Sequence, residues 1–261
     1  MSGTNPCAAW WSACAGPMAD VPKLIETVVE GSTALVRLNH PPVNALTPAL
    51  FAELEEARAL VAPSAVRVVI VTGLPRVFSV GGDLGAMALL PSAEEAGRQG
   101  RAGRALLDGF FGLPKPFIAA VNGLCLGGGL EIALACHLRV CGTRARFGFP
   151  ELSLGFVPGL GGIGRLARLV GRAKALEMIL TGQTVSAPEA HRIGLVNRCI
   201  APGHVMEEAR KMARAITRAE PAAALAALEL LDQVDAEREA ELFGELVARP
   251  IVKERLRDLL A

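Results

Sequence analysis

Two glutamates stand where a carboxylate could do chemistry. Glu131 closes the stretch VNGLCLGGGLE, and Glu151 sits in FGFPELSLGFVPGLGG. Each lies beside glycine-rich or proline-marked backbone that would be costly to bury without purpose. Paired carboxylates can deliver and remove protons on either side of one reacting atom. A glycine run opening a helix can aim free N–H groups at a developing negative oxygen. Together these features point to acid–base chemistry on a carbonyl substrate.

The elements that must position them are readable in outline. LIETVVEGSTALVRLN (Leu24 to Asn39) has branched residues on both sides of a turn at Glu30-Gly31-Ser32 and reads as a β-hairpin. Pro41 and Pro42 then forbid helix. Leu50, Leu54, Ala57, Leu60 and Val61 fall on one helical face. VRVVIVT and FIAAV are continuous apolar runs, as expected of buried parallel strands. FSVGGDLGAM reads as a loop, followed by a weakly patterned stretch reaching Phe111. A helix is expected from about Leu130 to Cys136, and a strand from Leu138. Strand and helix alternate, which places the chain in the α/β class. After Gly162 the chain turns mainly helical. Arg172 to Leu180 has Gly182 in the C-cap position. Val205, Ala209, Met212, Ala213 and Ile216 repeat at helical spacing, and helices are expected over Ala222 to Leu231 and from Glu237. Residues 1–20, which hold Trp10 and Trp11, read as a disordered or peripheral leader, 21–200 as the core, and 201–261 as a helical oligomerisation region. That last region is too thin and apolar to form its own core, so it should pack on the first part or on a neighbouring subunit.

Composition narrows the function classes. The chain has 261 residues, about half of them apolar (51%), so a large core is available. A formal net charge of +1 gives no global reason to bind nucleic acid or an acidic membrane. The lack of tyrosine also weighs against a base-stacking surface. The six cysteines (Cys7, Cys14, Cys125, Cys136, Cys141 and Cys199) form no CxxC pair and no zinc-finger spacing with histidine. They read as reduced thiols of a cytoplasmic protein. No apolar run reaches the length of a membrane span, and the first residues lack a secretory pattern.

Each motif also has a plainer reading. Gly127 to Gly129 could let backbone approach a ligand, or could pack a strand tightly on a helix. Glu131 could simply complement the helix dipole. FSVGGD could offer a backbone N–H, or be an ordinary loop in which Asp83 caps the next helix. Glu151 alone would be a solvated loop carboxylate; its company of Pro158, Gly159, Gly161 and Gly162 argues otherwise. GLGGIG (Gly159 to Gly164) matches GxGxxG literally, but Pro158 stands where a strand is required, and no acidic residue follows on a second strand. The match is accidental. The histidines His40, His137, His191 and His204 form no HExxH pair.

Five segments in order now carry a resemblance: PPVNAL (Pro41 to Leu46), FSVGGD, KPFIAAVNGLCLGGGLE (Lys115 to Glu131), FGFPELSLGFVPGLGG and LTGQTVSAPEAHRIGLVN (Leu180 to Asn197). The chain resembles the enoyl-CoA hydratase/isomerase, or crotonase, family from about Val21 to Asn197. The resemblance implies a crotonase-like spiral of ββα turns with a C-terminal helical trimerisation region, assembled as a homotrimer or a dimer of trimers. It implies an acyl-CoA thioester as substrate, with coenzyme A part of that substrate and no metal or other cofactor. It places the oxyanion hole at the N–H groups of Gly82 and Gly128, and substrate contacts at Val80, Gly82, Asp83, Leu84 and Gly128. Hydratases of the family carry both glutamates, and isomerases often keep one, so the pair favours hydration. Glu131 is assigned to activating water and Glu151 to protonating C2, with the reverse assignment open. The chain departs from the pattern at Val43 and Gly85, where many relatives carry a Lys or Arg for CoA phosphates. It also departs at Ile163 and Gly164 and in its last residues, ARPIVKERLRDLLA. Competing expectations are an isomerase or decarboxylase of the same family, a non-catalytic RNA- or partner-binding scaffold, and a nucleotide-dependent oxidoreductase built on GLGGIG.

Overall fold

The computed structural model describes residues 23–232 and 235–260. The expected leader, with Trp10, Trp11, Cys7 and Cys14, lies outside them. In chain order the strands are β1 (Ile25–Glu30), β2 (Thr33–Leu38), β3 (Ala45–Leu46), β4 (Val68–Thr72), β5 (Val77–Ser79), β6 (Gly81–Gly82), β7 (Phe117–Val121), β8 (Leu124–Leu126), β9 (Leu138–Gly142), β10 (Arg146–Gly148), β11 (Val185–Ser186) and β12 (Arg198–Ile200). The helices are α1 (Pro48–Val61), α2 (Leu84–Ala88), α3 (Ala93–Phe111), α4 (Gly128–Ala135), α5 (Gly162–Val170), α6 (Arg172–Thr181), α7 (Ala187–Arg192), α8 (Val205–Arg218), α9 (Pro221–Asp232), α10 (Ala236–Ala248) and α11 (Pro250–Leu260). A short 3₁₀ turn covers Glu151–Leu154. The described residues fall into two compact units, divided between Ala213 and Arg214.

The first unit is a repeated ββα turn. One sheet has the order β1-β2-β4-β7-β9-β12 and a second the order β11-β10-β8-β5. Each passage of the chain gives one strand to each sheet: β4 then β5, β7 then β8, β9 then β10. Only β1–β2 and β10–β11 are antiparallel in these two sheets. β4 and β7 are buried along their whole length, which is why they read as unbroken apolar runs. Lys115, just before β7, is buried, and its ammonium donates to Val61 O (2.6 Å), Ala62 O (3.0 Å), Pro63 O (3.0 Å) and Val66 O (2.8 Å). It satisfies the Val61 and Ala62 carbonyls at the end of α1, which no helical N–H can reach, and ties them to the turn that follows.

Several expectations need correction. The hairpin stands, with Gly31 at φ 59 in its turn. On α1 the buried face is Leu50, Phe51, Leu54, Ala57 and Val61, while Leu60 is exposed. FSVGGDLGAM is not a loop but β5, β6 and α2. The weakly patterned stretch holds α3, at 19 residues the longest helix among the described residues. β12 adds a strand to the large sheet from the region expected to be mainly helical. Among the described residues no helix is long and apolar enough to cross a membrane.

The second unit contains α9, α10 and α11, with Ala226 and Leu242 buried. Leu231, Phe243, Leu259 and Leu260 are exposed.

Candidate active site

A cavity of about 330 Å³ opens in the first unit, and Gly82, Asp83, Gly128, Glu131 and Glu151 all lie in its wall. Folding thus gathers five of the residues singled out in the sequence around one space. The rest of the wall is mainly apolar and includes Leu46, Phe51, Met87 and Leu160.

Gly82 is placed by a two-residue strand pair. β3 runs parallel to β6, with Ala45 opposite Gly81 and Leu46 opposite Gly82. Asn44 holds this pair in place. It is fully buried at φ 51, a left-handed conformation that Asn tolerates better than most residues. Its amide nitrogen donates to Leu38 O (3.1 Å) and Phe78 O (2.8 Å), and its amide oxygen accepts from His40 N (2.7 Å). Ser79 then donates to Asn44 O (2.7 Å) and accepts from Gly81 N (3.1 Å). One asparagine therefore ties β2, β5 and β6 together.

Gly128 is the first residue of α4, so its N–H has no acceptor within the helix. A Cβ on Gly81 would come within 2.8 Å of that nitrogen, so the two glycine turns touch. The packing reading of the glycine run holds. A side chain on Gly129 would strike the backbone of Ser79, which is tight packing. Gly127 has φ 51, and a Cβ there would lie 2.5 Å from Glu151 Oε1. Asp83 does cap the next helix, accepting from Ala86 N (3.0 Å), while also lining the cavity.

Glu131 projects from the first turn of α4 and is 2% exposed. Its Oε1 accepts from Leu160 N (2.8 Å) and Gly162 N (2.7 Å). Gly161 between them has φ 93, which turns both N–H groups toward one oxygen as an anion-binding nest. The GLGGIG segment follows a loop rather than a strand and grips a protein carboxylate. Behind the nest, Arg165 donates to Leu160 O (2.7 Å) and pairs with Asp108 (2.5 Å), which Arg104 also meets (3.1 Å). Burial pushes the Glu131 carboxyl above its ordinary value, while the two N–H groups and then Arg165 and Arg104 pull it back.

Glu151 opens the 3₁₀ turn after Pro150 and is 6% exposed, so it is no solvated loop residue. Its Oε2 has no hydrogen-bond partner. Burial, with the Glu131 charge adding to it, raises its carboxyl from 4.5 to about 7, against a contact with its own backbone N–H.

The other expected contacts lie elsewhere. Val80 and Leu84 are outside the cavity wall: the Val80 N–H is taken by Val43 O (3.2 Å), and the Leu84 side chain is exposed. Val43 and Gly85 are also outside it, as are all four histidines. His40 and His191 meet backbone carbonyls, His137 accepts from Phe117 N, and His204 pairs with Glu207.

The profile described as enoyl-CoA hydratase/isomerase matches residues 29–245. The chain belongs to the enoyl-CoA hydratase/isomerase family. It is 36% identical over 245 residues to a probable enoyl-CoA hydratase of Bacillus subtilis, covering 90% of this chain and 95% of that one. It is 39% identical over 227 residues to a short-chain-enoyl-CoA hydratase of Clostridium acetobutylicum, covering 83% and 86%. An enoyl-CoA hydratase structure from Bacillus anthracis superposes with a TM-score of 0.84 at 32% identity, covering 92% and 95%.

Within this family frame, sequence reasoning missed Asn44, Ser79 and Arg165. Asn44 sat inside a quoted motif, and an Asn after two prolines is itself a signal for left-handed backbone. Arg165 carried no such signal, because its role depends on a nest that only folding assembles.

Proposed function

We propose that the protein is an enoyl-CoA hydratase that adds water across the 2,3 double bond of a 2-enoyl-CoA thioester. The observation that carries this reading is one cavity holding two buried carboxylates of unlike surroundings, with Gly82 and Gly128 in the same wall. The thioester oxygen sits between the N–H groups of Gly82 and Gly128. Glu131, held by two N–H donors, is the base, and Glu151, with a carboxyl that keeps its proton to about pH 7, is the acid.

Water bonds to C3 as Glu131 takes one of its protons. The π electrons move toward the thioester, and the resulting enolate oxygen is stabilised by the two N–H groups. Glu151 gives its proton to C2 and the carbonyl re-forms. Glu131 ends protonated and Glu151 ionised, and a proton passed through solvent resets the pair. Every atom comes from substrate, water and these side chains, so the scheme calls on no metal or redox cofactor.

The second unit is the proposed contact of a homotrimer or a dimer of trimers, supported by its exposed Leu231, Phe243, Leu259 and Leu260. The buried free thiols Cys125, Cys136 and Cys141 suit a reducing compartment such as the cytoplasm.

The test is loss of the conjugated-enoyl absorbance of crotonyl-CoA and 2-decenoyl-CoA on adding the enzyme, with Glu131→Gln and Glu151→Gln beside it. Loss that needs both carboxylates is expected. Binding without hydration at either chain length, or a double bond that only migrates, would contradict the reading.

A further inference from the structure

Helix α3 runs along the cavity and carries Ala96, Gln99, Gly100 and Gly103 in its wall. Ala96, Gly100 and Gly103 share one helical face. Glycine inside a helix is a standing cost relative to alanine. For Gly103 the structure supplies the cause: a Cβ there would lie 3.0 Å from Leu160 Cδ2 and 3.7 Å from Phe51 Cζ. For Gly100 it supplies none, since a Cβ would meet nothing within 4 Å. The neighbouring Gln99 has its amide engaged by Glu95 Oε1 (3.3 Å). The cavity therefore has a stretch of bare backbone along one side, with open space in front of it.

Glu131 and Glu151, the latter buried with an unpartnered Oε2, lie in the wall of the same cavity. The volume of about 330 Å³ is roughly twice the ~150 Å³ that holds a benzene ring in a protein core. A four-carbon crotonyl group leaves most of that space empty.

We propose that the cavity takes linear 2-enoyl thioesters of about eight to ten carbons, with the tail against the bare backbone at Gly100, and that this residue sets the chain length. The inference rests on the placement of the thioester at Gly82 and Gly128. The test is kcat/KM for crotonyl-, 2-octenoyl- and 2-decenoyl-CoA in the unaltered enzyme, Gly100→Leu and Gly100→Ala. The unaltered enzyme is expected to favour decenoyl over crotonyl by about tenfold or more, since each buried methylene adds to binding. Gly100→Leu should lower that ratio by about 30-fold, within the range by which a filled pocket discriminates chain length. Gly100→Ala should lower it by about threefold in a helix that is no less stable, so it decides the matter if the leucine variant fails to fold. A preference for crotonyl in the unaltered enzyme, or equal losses for every thioester in the variants, would overturn the inference while leaving hydration intact. Unchanged absorbance at every chain length would instead overturn the thioester placement and this inference with it.

Discussion

Glu131 and Glu151 face one cavity from two different kinds of backbone. Glu131 belongs to a helix and points one oxygen into a nest of two N–H groups braced by Arg165. Glu151 starts a 3₁₀ turn, has an oxygen with no partner, and sits next to a bend that only glycine allows at 127. Burial alone would push both carboxyls up. Two N–H groups and then Arg165 and Arg104 offset part of that push on Glu131. On Glu151 only its own backbone N–H does, and the Glu131 charge adds to the push. The fold thus gives two identical side chains unlike surroundings, as the proposed base and acid require.

The largest effect should come from removing the proposed acid, Glu151. Glu151→Gln is expected to cut turnover by roughly 10²–10⁴-fold, the usual worth of a positioned general acid. Stability should move the other way, and only at higher pH. The native Glu151 keeps its proton up to about 7, where an ordinary carboxyl loses it near 4.5. Between those values the folded chain holds more protons than the unfolded one, so stability falls as pH rises. Glutamine removes that fall. Thermal melts should show the variant gaining on the native protein at pH 8 and not at pH 4. A uniform loss of stability at both would break the contrast.

Next in size is the frame under Gly82. Asn44→Ala leaves Leu38 O, Phe78 O and His40 N without their partner and puts alanine in left-handed backbone. A loss of about 3–4 kcal/mol is expected in chemical denaturation. Turnover should fall with it, because the strand pair carrying Gly82 loses its anchor.

The smallest effect sharpens the comparison most. Arg165→Met should raise the Glu131 carboxyl and move the acid limb of the kcat/KM profile upward, so that activity falls most on the acid side. The alkaline limb, set by Glu151, should stay in place. Movement of both limbs together would mean that the arginine only supports the fold.

Much of this was legible before folding. The buried strands announced themselves as apolar runs, the hairpin by its turn, and α6 by Gly182 just past its end. Glu131 stood just after a glycine run and Glu151 just after a proline. What stayed hidden has physical reasons. β5 and β6 are three and two residues long, too short to show any period. α3 carries Gly97, Gly100, Gly103 and Gly109, which mask a helix, although Ser92 accepting from Glu95 N marks its start clearly enough. The unlike state of the two carboxylates depends on contacts such as Glu131 with Gly162, 31 residues apart, which no local pattern encodes.

The central claim is that these two carboxyls differ in protonation before substrate arrives. The direct measurement is an infrared titration of the ligand-free enzyme, with the carboxyl band assigned by its loss in Glu151→Gln or Glu131→Gln. A protonated-carboxyl band that persists to about pH 7 and vanishes only in Glu151→Gln is the expected result. A band that belongs to Glu131, or its absence by pH 6, would contradict the division of labour between them.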